Sequence, residues 1–589
     1  MPNPVAVNDL SPISGSLQTS RISYGVETAG KNYGQAYNSS TWYSDIPNNG
    51  QFYTIISDNY TANYYVSRSN AGGAYVEGGL PAVDEYSAPV FWITQGTSSL
   101  DVITIVNGLP DRIGQTPFNS GSQALNWVAS SSNYFAVGPD YYAQIDADNL
   151  RLYLHGNQII SYPTTGSSWY DISGYTSNAT LYNGLGASWN SNGWFNFDGT
   201  DDYGNAGNSS NFDTNTFSIE ALVRLGAADN SMRTIASRGG NPGSATNGWW
   251  LGTLRNGLGS GINEFRVMYW GTSTYLDLIA SVGANNLRWH HVVATSNGTT
   301  GFFYIDGVLN TSATLPAGNL YSAGDNFFLG VDDSNGSQWT GSINNEKFYS
   351  KTLTTTEILQ NYYGGPVVTG SLIYAIDAGN LVSYPKSGTT VYPLTGSNTD
   401  TLTNGVGFSP IDGGTWTFDG VDDYIDLSAD PWPANAFTND SVSIWFKFSN
   451  YGVILGQNAA PTLNVGSYVP AIYIDTSFYL RTSMFWGGST GNQSVSPSPL
   501  SINTWYNVTV TNGSNTQKTY LNGELIATLS KTQASYAGVY YYTLGAGVWD
   551  GWGGITGQVG YLQGQIANLY YYDKELTAAE VLQNYNATK

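Results

Sequence analysis

Apolar and polar residues alternate along much of this chain with a period of two, which is typical of half-buried β-strands. Residues 291–295 and 506–510 are β-branched runs of this kind. After residues 291–295, the next strand-like run ends in Asp306-Gly307. After residues 506–510, the next one ends in Asn522-Gly523. Such pairs tolerate the positive φ angles of tight hairpin turns. The pattern therefore predicts antiparallel strands joined by short turns.

Helix signals are confined to two places. Thr354 precedes Glu357 by three residues, and Thr577 precedes Glu580 by three, each before a short apolar segment. This spacing lets the threonine and the glutamate cap the first turn of a helix reciprocally. We expect one short helix at each of these places, closing a β-rich unit.

The chain also repeats itself, in order, over most of its length. Trp289 matches Trp505, and the remaining matched segments are 145–150 with 376–381, 161–163 with 383–385, 197–203 with 418–424, 269–271 with 485–487, 304–307 with 520–523, and 353–362 with 576–585. The repeat predicts two copies of one β-sandwich, at residues 141–365 and 366–589.

Residues 1–140 lie outside the repeat and are rich in Ser, Asn, Gly and Tyr. Strand-like runs occur at 90–93 and 102–106. We expect a separate β-rich domain here that serves attachment or assembly. The predicted fold class is thus all-β, with two tandem sandwiches behind a β-rich N-terminal domain.

Charge and composition restrict the partners. The net charge is −22 with 20 Lys and Arg residues, which disfavours nucleic acid and anionic membranes because both need clustered cations. Cysteine is absent, so neither disulfides nor thiolate metal sites are expected. The first residues lack the pattern of a secretory signal, and no apolar run is long enough to span a membrane. A virion released by lysis is one location that suits such a protein.

The repeated motifs carry a family resemblance. The run Phe-Asp-Gly-x-Asp-Asp-Tyr at 197–203 and 418–424, the hairpins at 304–307 and 520–523, and the closing helices resemble laminin G-like and concanavalin A-like lectin domains. The resemblance implies two jelly-roll sandwiches whose relatives often bind glycans, sometimes with calcium. The tandem arrangement behind a β-rich region is similar to virion appendage proteins of tailed phages, such as tail fibres.

The sequence argues against catalysis. Glycoside hydrolases of related fold carry two carboxylates in a Glu-x-Asp-x-x-Glu strand, because glycoside cleavage needs a carboxylate pair. That motif is absent, and the nearest spacing, Glu575 with Glu580, falls at the second closing helix. His290 and His291 are adjacent in a strand and should face opposite sides. We expect no enzyme activity.

Aspartate-rich turns are the candidate metal ligands, since carboxylate oxygens suit calcium. The candidates are Asp332, Asp333, Asp198, Asp201, Asp419 and Asp422. For the repeated turns the alternative is a purely structural corner, in which Phe197 and Tyr203 pack inward. Asp332-Asp333 occurs in the first copy alone, and its counterpart retains only Asp550.

Tryptophans are the candidate sugar platforms, because the C–H faces of sugar rings stack on aromatic rings. The candidates are Trp270, Trp339, Trp486, Trp549 and Trp552. Trp549 and Trp552 have glycine-rich neighbours, and we expect both to be exposed. Packing in the core is the alternative for each of the others.

The leading hypothesis is a non-enzymatic virion structural or fibre protein whose sandwiches bind host-surface polysaccharide. Other virion subunits would be partners, and a homotrimer is possible. Two alternatives stay open: a purely architectural capsid or tail decoration protein, and an extracellular bacterial adhesin that binds carbohydrate.

Overall fold

The computed structural model describes five short stretches before residue 105 and most of the chain from 149 to 588. Within the latter, the description omits 159–160, 229–230, 241–246, 256–262, 366, 397, 428–438, 459, 462, 464–467, 485–492, 514, 531–539 and 553–558. Strands make up 50% and helices 9%, which confirms the predicted all-β class. No helix of the described part is long and apolar enough to cross a bilayer.

The first five strands form two small antiparallel units. β1 (Tyr53–Ile56), β2 (Tyr65–Arg68) and β3 (Tyr75–Gly78) pair in sequence order. β4 (Val90–Gln95) pairs with β5 (Ser99–Thr104) as a hairpin. The predicted run at 90–93 is therefore a strand, as is 102–104 of the second run, whose residues 105–106 lie outside the described residues.

The first sandwich contains sixteen strands and one α-helix. The strands are β6 (Leu150–His155), β7 (Ser168–Trp169), β8 (Ala179–Tyr182), β9 (Trp189–Asn190), β10 (Trp194–Asp198), β11 (Tyr203–Asn205), β12 (Thr216–Leu225), β13 (Arg233–Arg238), β14 (Gly248–Arg255), β15 (Asn263–Trp270), β16 (Tyr275–Gly283), β17 (Trp289–Asn297), β18 (Thr300–Ile305), β19 (Val308–Thr314), β20 (Phe327–Leu329) and β21 (Thr340–Tyr349). Helix α1 (Thr355–Tyr363) follows them.

These strands form two eight-stranded antiparallel sheets. Sheet 1A has the order β19-β18-β17-β12-β21-β10-β9, with β6 also paired to β21. Sheet 1B has the order β16-β15-β14-β13-β20-β11-β8-β7. Their facing sides enclose one apolar core, and we call the opposite side of each sheet its outer face.

The second sandwich repeats this plan. Its strands are β22 (Leu372–Asp377), β23 (Thr390–Val391), β24 (Asp400–Thr403), β25 (Gly407–Ser409), β26 (Thr415–Asp419), β27 (Tyr424–Leu427), β28 (Asp440–Phe448), β29 (Gly452–Asn458), β30 (Tyr468–Ile474), β31 (Leu480–Thr482), β32 (Ser494–Val495), β33 (Trp505–Asn512), β34 (Thr516–Leu521), β35 (Glu524–Ser530), β36 (Tyr541–Leu544), β37 (Ala546–Val548), β38 (Val559–Tyr561) and β39 (Gln563–Tyr572). Helix α2 (Ala578–Thr588) ends it.

Sheet 2A has the order β25-β26-β39-β28-β33-β34-β35, with β22 also paired to β39. Sheet 2B has the order β23-β24-β27-β36-β29-β30-β31-β32, and β37 pairs with β38 beside it. Single-turn 3₁₀ helices complete the two sandwiches, at Leu185–Ser188, Ser210–Phe212, Ala284–Asn286 and Ile411–Gly413.

Strand pairing corrects one segment of the sequence repeat. Leu372–Asp377 pairs with β39 as Leu150–His155 pairs with β21, so Asp377 occupies the position of His155 rather than that of Asp146. The backbone N–H groups of His155 and Asp377 donate to Ser161 and Ser383 in the same way. The match of 145–150 with 376–381 was wrong because short similar runs do not fix strand register.

Both closing helices carry the predicted caps. The Thr354 hydroxyl accepts from the N–H of Glu357, and the Glu357 carboxylate accepts from the N–H of Thr354. Thr577 and Glu580 make the same reciprocal pair. The capping boxes read from sequence are confirmed, because such a cap depends only on residues within one turn.

Helix α1 covers part of the outer face of sheet 1A. Its Asn361 amide donates to the buried Glu220 carboxylate, whose other oxygen lies 2.8 Å from Lys347 Nζ. The far side of α1 meets the second sandwich, where Tyr362 donates to the carbonyl of Leu394 and Asn380 donates to the carbonyl of Tyr362. The two sandwiches therefore share an apolar cluster around α1.

Candidate functional site

The structure buries the tryptophans proposed as platforms. Trp339 is 0% exposed in the first core, and Trp270 is 6% exposed on the outer face of sheet 1B. Trp549 and Trp552 are 5% and 9% exposed, so the expectation that both are exposed was wrong. Trp486 lies outside the described residues.

The burial of Trp549 and Trp552 has a local cause. The β37–β38 hairpin and the turn after β37 bring both rings to an apolar cluster with Val453, Val469 and Tyr473. Trp549 lies 6.3 Å from the Tyr473 ring in an edge-to-face arrangement. Gly547 and Gly560 in the hairpin strands allow this packing, because a Cβ on Gly547 would lie 2.7 Å from Val453 and one on Gly560 2.5 Å from the Trp549 ring. Nearby glycines therefore do not by themselves indicate an exposed loop.

The repeated aspartate turns keep their geometry in both copies. Asp198 Oδ1 accepts from the N–H of Thr200, and Asp202 Oδ2 accepts from the N–H of Asp198. The second copy repeats this with Asp419, Val421 and Asp423. In each copy three carboxylates, Asp198-Asp201-Asp202 or Asp419-Asp422-Asp423, place oxygens within 4.8 Å of one another.

These hydrogen bonds shape the corner, and they account for the buried third aspartate. Burial raises the pKa of Asp202, the N–H of Asp198 lowers it, and the carboxylates of Asp198 and Asp201 raise it further. Phe197 packs inward as predicted. Tyr203 does not: it lies on the outer face, because its neighbour Gly204 occupies the inward position against Leu329.

The Asp332 turn is held in the same manner. Asp332 is 2% exposed, and its Oδ1 accepts from the N–H of Ser334, the hydroxyl of Ser334 and the N–H of Gly336. Asp333 lies at the surface. Its pKa is raised, first because its carboxylate is partly shielded from water and then because the carboxylates of Asp325 and Asp332 are near. The first carboxylate therefore supports the turn, while the second points to solvent.

One arginine joins the two acidic turns of the first sandwich. The Arg233 guanidinium donates to the carbonyl of Gly199 at 3.3 Å and to the carbonyl of Gln338 at 2.9 Å. In addition, the Ser237 hydroxyl donates to the carbonyl of Val331, so the 331–338 loop lies over the outer face of β13. The turn at Gly199 and the 331–338 loop, which are distant in sequence, therefore both lie beside β13.

Beside these turns, three aromatic residues lie on neighbouring strands of sheet 1B. The rings of Tyr182 on β8 and Tyr203 on β11 stack with centroids 4.5 Å apart and planes 9° apart. Tyr203 then meets Phe328 on β20 edge-to-face at 6.2 Å. Tyr182 ends this row of rings and is 38% exposed; we call the ring face turned away from Tyr203 its free ring face.

The Tyr182 ring also has polar neighbours. The Asn183-Gly184 turn follows it with φ angles of 56° and 97°. The Asn183 amide donates to the carbonyl of Asp201 at 2.6 Å, which brings the exposed Asp201 turn next to the end of β8. Thr180, two residues before Tyr182, is exposed on the same face. We call Tyr182, Tyr203, Phe328 and these polar neighbours the tyrosine platform.

Sequence reasoning missed this platform because it considered only tryptophans. Tyr182 precedes an Asn-Gly pair at a strand end, where side chains often remain accessible, and that signal was present in the sequence. The stacking partner was not accessible from sequence, since Tyr203 lies twenty-one residues further on in a strand whose register only the fold decides.

The second sandwich lacks the platform at the equivalent place. Thr403 pairs with Tyr424 as Tyr182 pairs with Tyr203, and Thr543 takes the position of Phe328. Asn404 still donates to the carbonyl of Asp422, so the backbone turn is retained. Tyr424 is retained at the position of Tyr203, but threonines replace both of its aromatic neighbours.

The adjacent histidines and the two glutamates considered for catalysis all have polar partners within the fold. His290 contacts Asp306 and Asn286, whereas His291 lies 3.3 Å from Glu220 on the opposite face of the strand, as predicted. Glu575 pairs with Lys518, and Glu580 with Lys574.

Solved structures that resemble parts of the chain have low sequence identity and low TM-scores. Domain 4 of the arabinanase AbnA from Geobacillus stearothermophilus, in complex with arabinotriose, has 15% identity and a TM-score of 0.26, covering 37% of this chain and 98% of that one. Domains LG4-5 of the mouse laminin α1 chain have 12% identity and a TM-score of 0.22, covering 62% and 86%. None of these likenesses bears on function.

Comparison with protein families, unlike comparison with solved structures, shows which family the chain belongs to. No curated protein matches the chain in sequence. The profile of the Laminin_G_3 family, described as the concanavalin A-like lectin/glucanases superfamily, matches residues 198–359 and 419–582. These matches span more than half of the chain, one in each sandwich, and the chain therefore belongs to the concanavalin A-like lectin/glucanases superfamily.

Proposed function

We propose that the first sandwich binds carbohydrate on the free ring face of Tyr182 and that the chain is a non-enzymatic virion appendage attaching to host-surface polysaccharide. The tyrosine platform is the observation that carries the binding part. It combines an exposed aromatic face with adjacent amide, hydroxyl and carboxylate groups, which is the chemistry that recognises a sugar ring.

The platform is prearranged for binding. Tyr203 stacks against one face of Tyr182 and Phe328 supports Tyr203, so the Tyr182 ring loses little freedom when a ligand covers its other face. Rigid groups bind better because less conformational entropy is lost on association. An isolated surface tyrosine would lack this advantage.

A glycan array of bacterial surface polysaccharides tests the proposal with three proteins. The wild type should bind at least one polysaccharide, and Tyr182→Thr, which installs the residue of the second sandwich, should reduce that binding at least tenfold. Thr403→Tyr is the matched control, because it adds a tyrosine beside Tyr424 without touching the platform. Equal binding by wild type and Y182T would overturn the site.

Two further arms test the remaining parts of the proposal. Repeating the array with a chelator and with added calcium tests whether the aspartate turns support binding through a metal ion. Analysing the bound polysaccharide for new reducing ends tests the absence of turnover. Release of product would replace the binding role with an enzymatic one.

The virion role is supported by the tandem sandwiches behind a β-rich N-terminal region and by the acidic, cysteine-free composition. Immunogold labelling of particles with an antibody to residues 371–588 tests it, and labelling at the tail or capsid surface is expected. Particles that assemble with Y182T but fail to adsorb would favour attachment. Failed assembly would favour the purely architectural alternative.

A further inference from the structure

A second exposed tyrosine lies on the outer face of sheet 1B. Tyr275, on the edge strand β16, is 63% exposed, the largest exposed fraction among the aromatic side chains of the described residues. Its ring stacks on Trp270 with centroids 6.3 Å apart and planes 30° apart. Trp270 is in turn fixed by Trp250 and Met268. Tyr275 is therefore supported from below as Tyr182 is supported by Tyr203.

Strand register places both tyrosines on the same face. Tyr275 pairs with Trp270, which shares a cluster with Trp250. Trp250 pairs with Ser237, and Ser237 pairs with Phe328 of the tyrosine platform. Because paired residues project to the same side of a sheet, the outer face is continuous from Tyr275 to Tyr182.

The spacing is large compared with one sugar. Six strand-to-strand steps separate β16 from β8, and at ~4.8 Å per step they span roughly 30 Å. Between the two tyrosines the 331–338 loop presents the exposed residues Asp333, Ser334 and Asn335. These polar groups can meet the hydroxyls of a chain that crosses the face.

We propose that the first sandwich recognises an extended polysaccharide at two separated points, Tyr182 and Tyr275, and not a terminal sugar or a short oligosaccharide. This inference rests on the proposed function of the tyrosine platform. Two weak contacts on one chain reinforce each other, because the second forms intramolecularly once the first is made, and such linkage commonly adds a factor of about 10²–10⁴.

The experiment uses the full-length protein and the polysaccharide with the strongest array signal, cut by mild acid and separated by length. Affinities are measured by calorimetry for wild type, Tyr182→Ala, Tyr275→Ala and the control Tyr451→Ala, whose tyrosine is 40% exposed in the second sandwich. Fragments of about two or three sugars are too short to span roughly 30 Å, whereas long fragments span it.

We expect long fragments to bind wild type at least tenfold more tightly than short ones, and either single variant to lose that gain. Tyr275→Ala should leave the affinity for short fragments at the Tyr182 platform within twofold, and Tyr451→Ala should change nothing. Length-independent binding, or a Y275A variant that keeps the full gain, would overturn the two-point inference while leaving the platform intact. No binding by any fragment would instead overturn the proposed function itself.

Discussion

The two sandwiches share strand order and register but differ in which equivalent positions carry charge. In the first, Glu220 pairs with Lys347 across β12 and β21, fully buried beneath α1. In the second, the same positions hold Ser443 and Tyr570, and the Ser443 hydroxyl accepts from Asn507 and Thr509. One fold is thus compatible with a charged or a neutral buried network, provided that each member finds a partner.

A second difference lies in the core. Glu346 pairs with the core residue Ala221 and is 0% exposed, and neither of its carboxyl oxygens has a hydrogen-bond partner. Leu569 holds the equivalent position in the second sandwich. The outer faces of sheets 1B and 2B diverge as well: Thr403 stands where sheet 1B presents Tyr182, and the Trp549 hairpin covers β29 and β30. The two copies therefore differ at single core positions as well as on their outer faces.

The largest expected effect comes from breaking the buried pair. Lys347→Met leaves the Glu220 carboxylate buried without its cation, and we expect the first sandwich to lose about 3–5 kcal/mol. Tyr570→Phe, the matched change, should cost the second only about 1 kcal/mol. Hydrogen–deuterium exchange of β12 and β28 reports the two sandwiches separately. Equal losses would show that the charged network has no special weight.

Acid should weaken the first sandwich through the same pair. Burial disfavours ionisation of Glu220, but Lys347 and His291 outweigh it and lower its pKa to about 2. The resulting stability is present above the unfolded pKa and is lost as pH falls from about 4.5 towards 2, on the order of 3 kcal/mol.

Urea unfolding of wild type and Glu220→Gln at pH 5, 4, 3 and 2 measures this loss. The stability difference between them should shrink steadily with falling pH. Glu580→Gln, at a partly exposed pair, should show a smaller pH dependence. A difference that does not change with pH would refute the role of the Glu220 carboxylate.

Removing the unpartnered carboxyl should stabilise the first sandwich. Burial raises the pKa of Glu346 well above its ordinary value, and the Glu220 carboxylate raises it further. Because the pKa of Glu346 is higher in the folded than in the unfolded state, its carboxyl does not destabilise the fold at a pH below the unfolded-state pKa. Stability is then lost as the pH rises through the folded-state pKa. Glu346→Leu, copying Leu569, should therefore add about 1–3 kcal/mol at pH 7 and less at pH 4.

Thermal unfolding at both pH values measures the effect, and Leu569→Glu is the reciprocal variant, expected to destabilise the second sandwich. Destabilisation by Glu346→Leu at pH 7 would show that the carboxyl has a partner that the structure does not reveal.

The smallest expected effect on stability comes from the helix caps, which both sandwiches share. Thr354→Ala and Thr577→Ala each remove one helix cap and should each cost about 1 kcal/mol. Amide exchange in the first turns of α1 and α2 measures both. Values that differ by more than a factor of two would mean that packing of α1 against the second sandwich contributes to its cap.

The sequence by itself determined the features that depend on neighbouring residues. Period-two alternation identified strands such as β17 and β33, the Asp-Gly and Asn-Gly pairs identified hairpins, and the Thr-x-x-Glu spacing identified both caps. The internal repeat identified two copies of one fold. Each of these signals reflects backbone geometry within a few residues, which local chemistry controls.

The tertiary structure alone decided exposure and proximity. Trp549 is buried because β37 lies beside sheet 2B, and Tyr203 faces outward because the pairing of β11 with β20 turns Gly204 inward. Arg233 joins turns that lie about 140 residues apart. Whether an aromatic residue forms core or a binding surface depends on what the rest of the chain places over it, and that is settled only by long-range strand register.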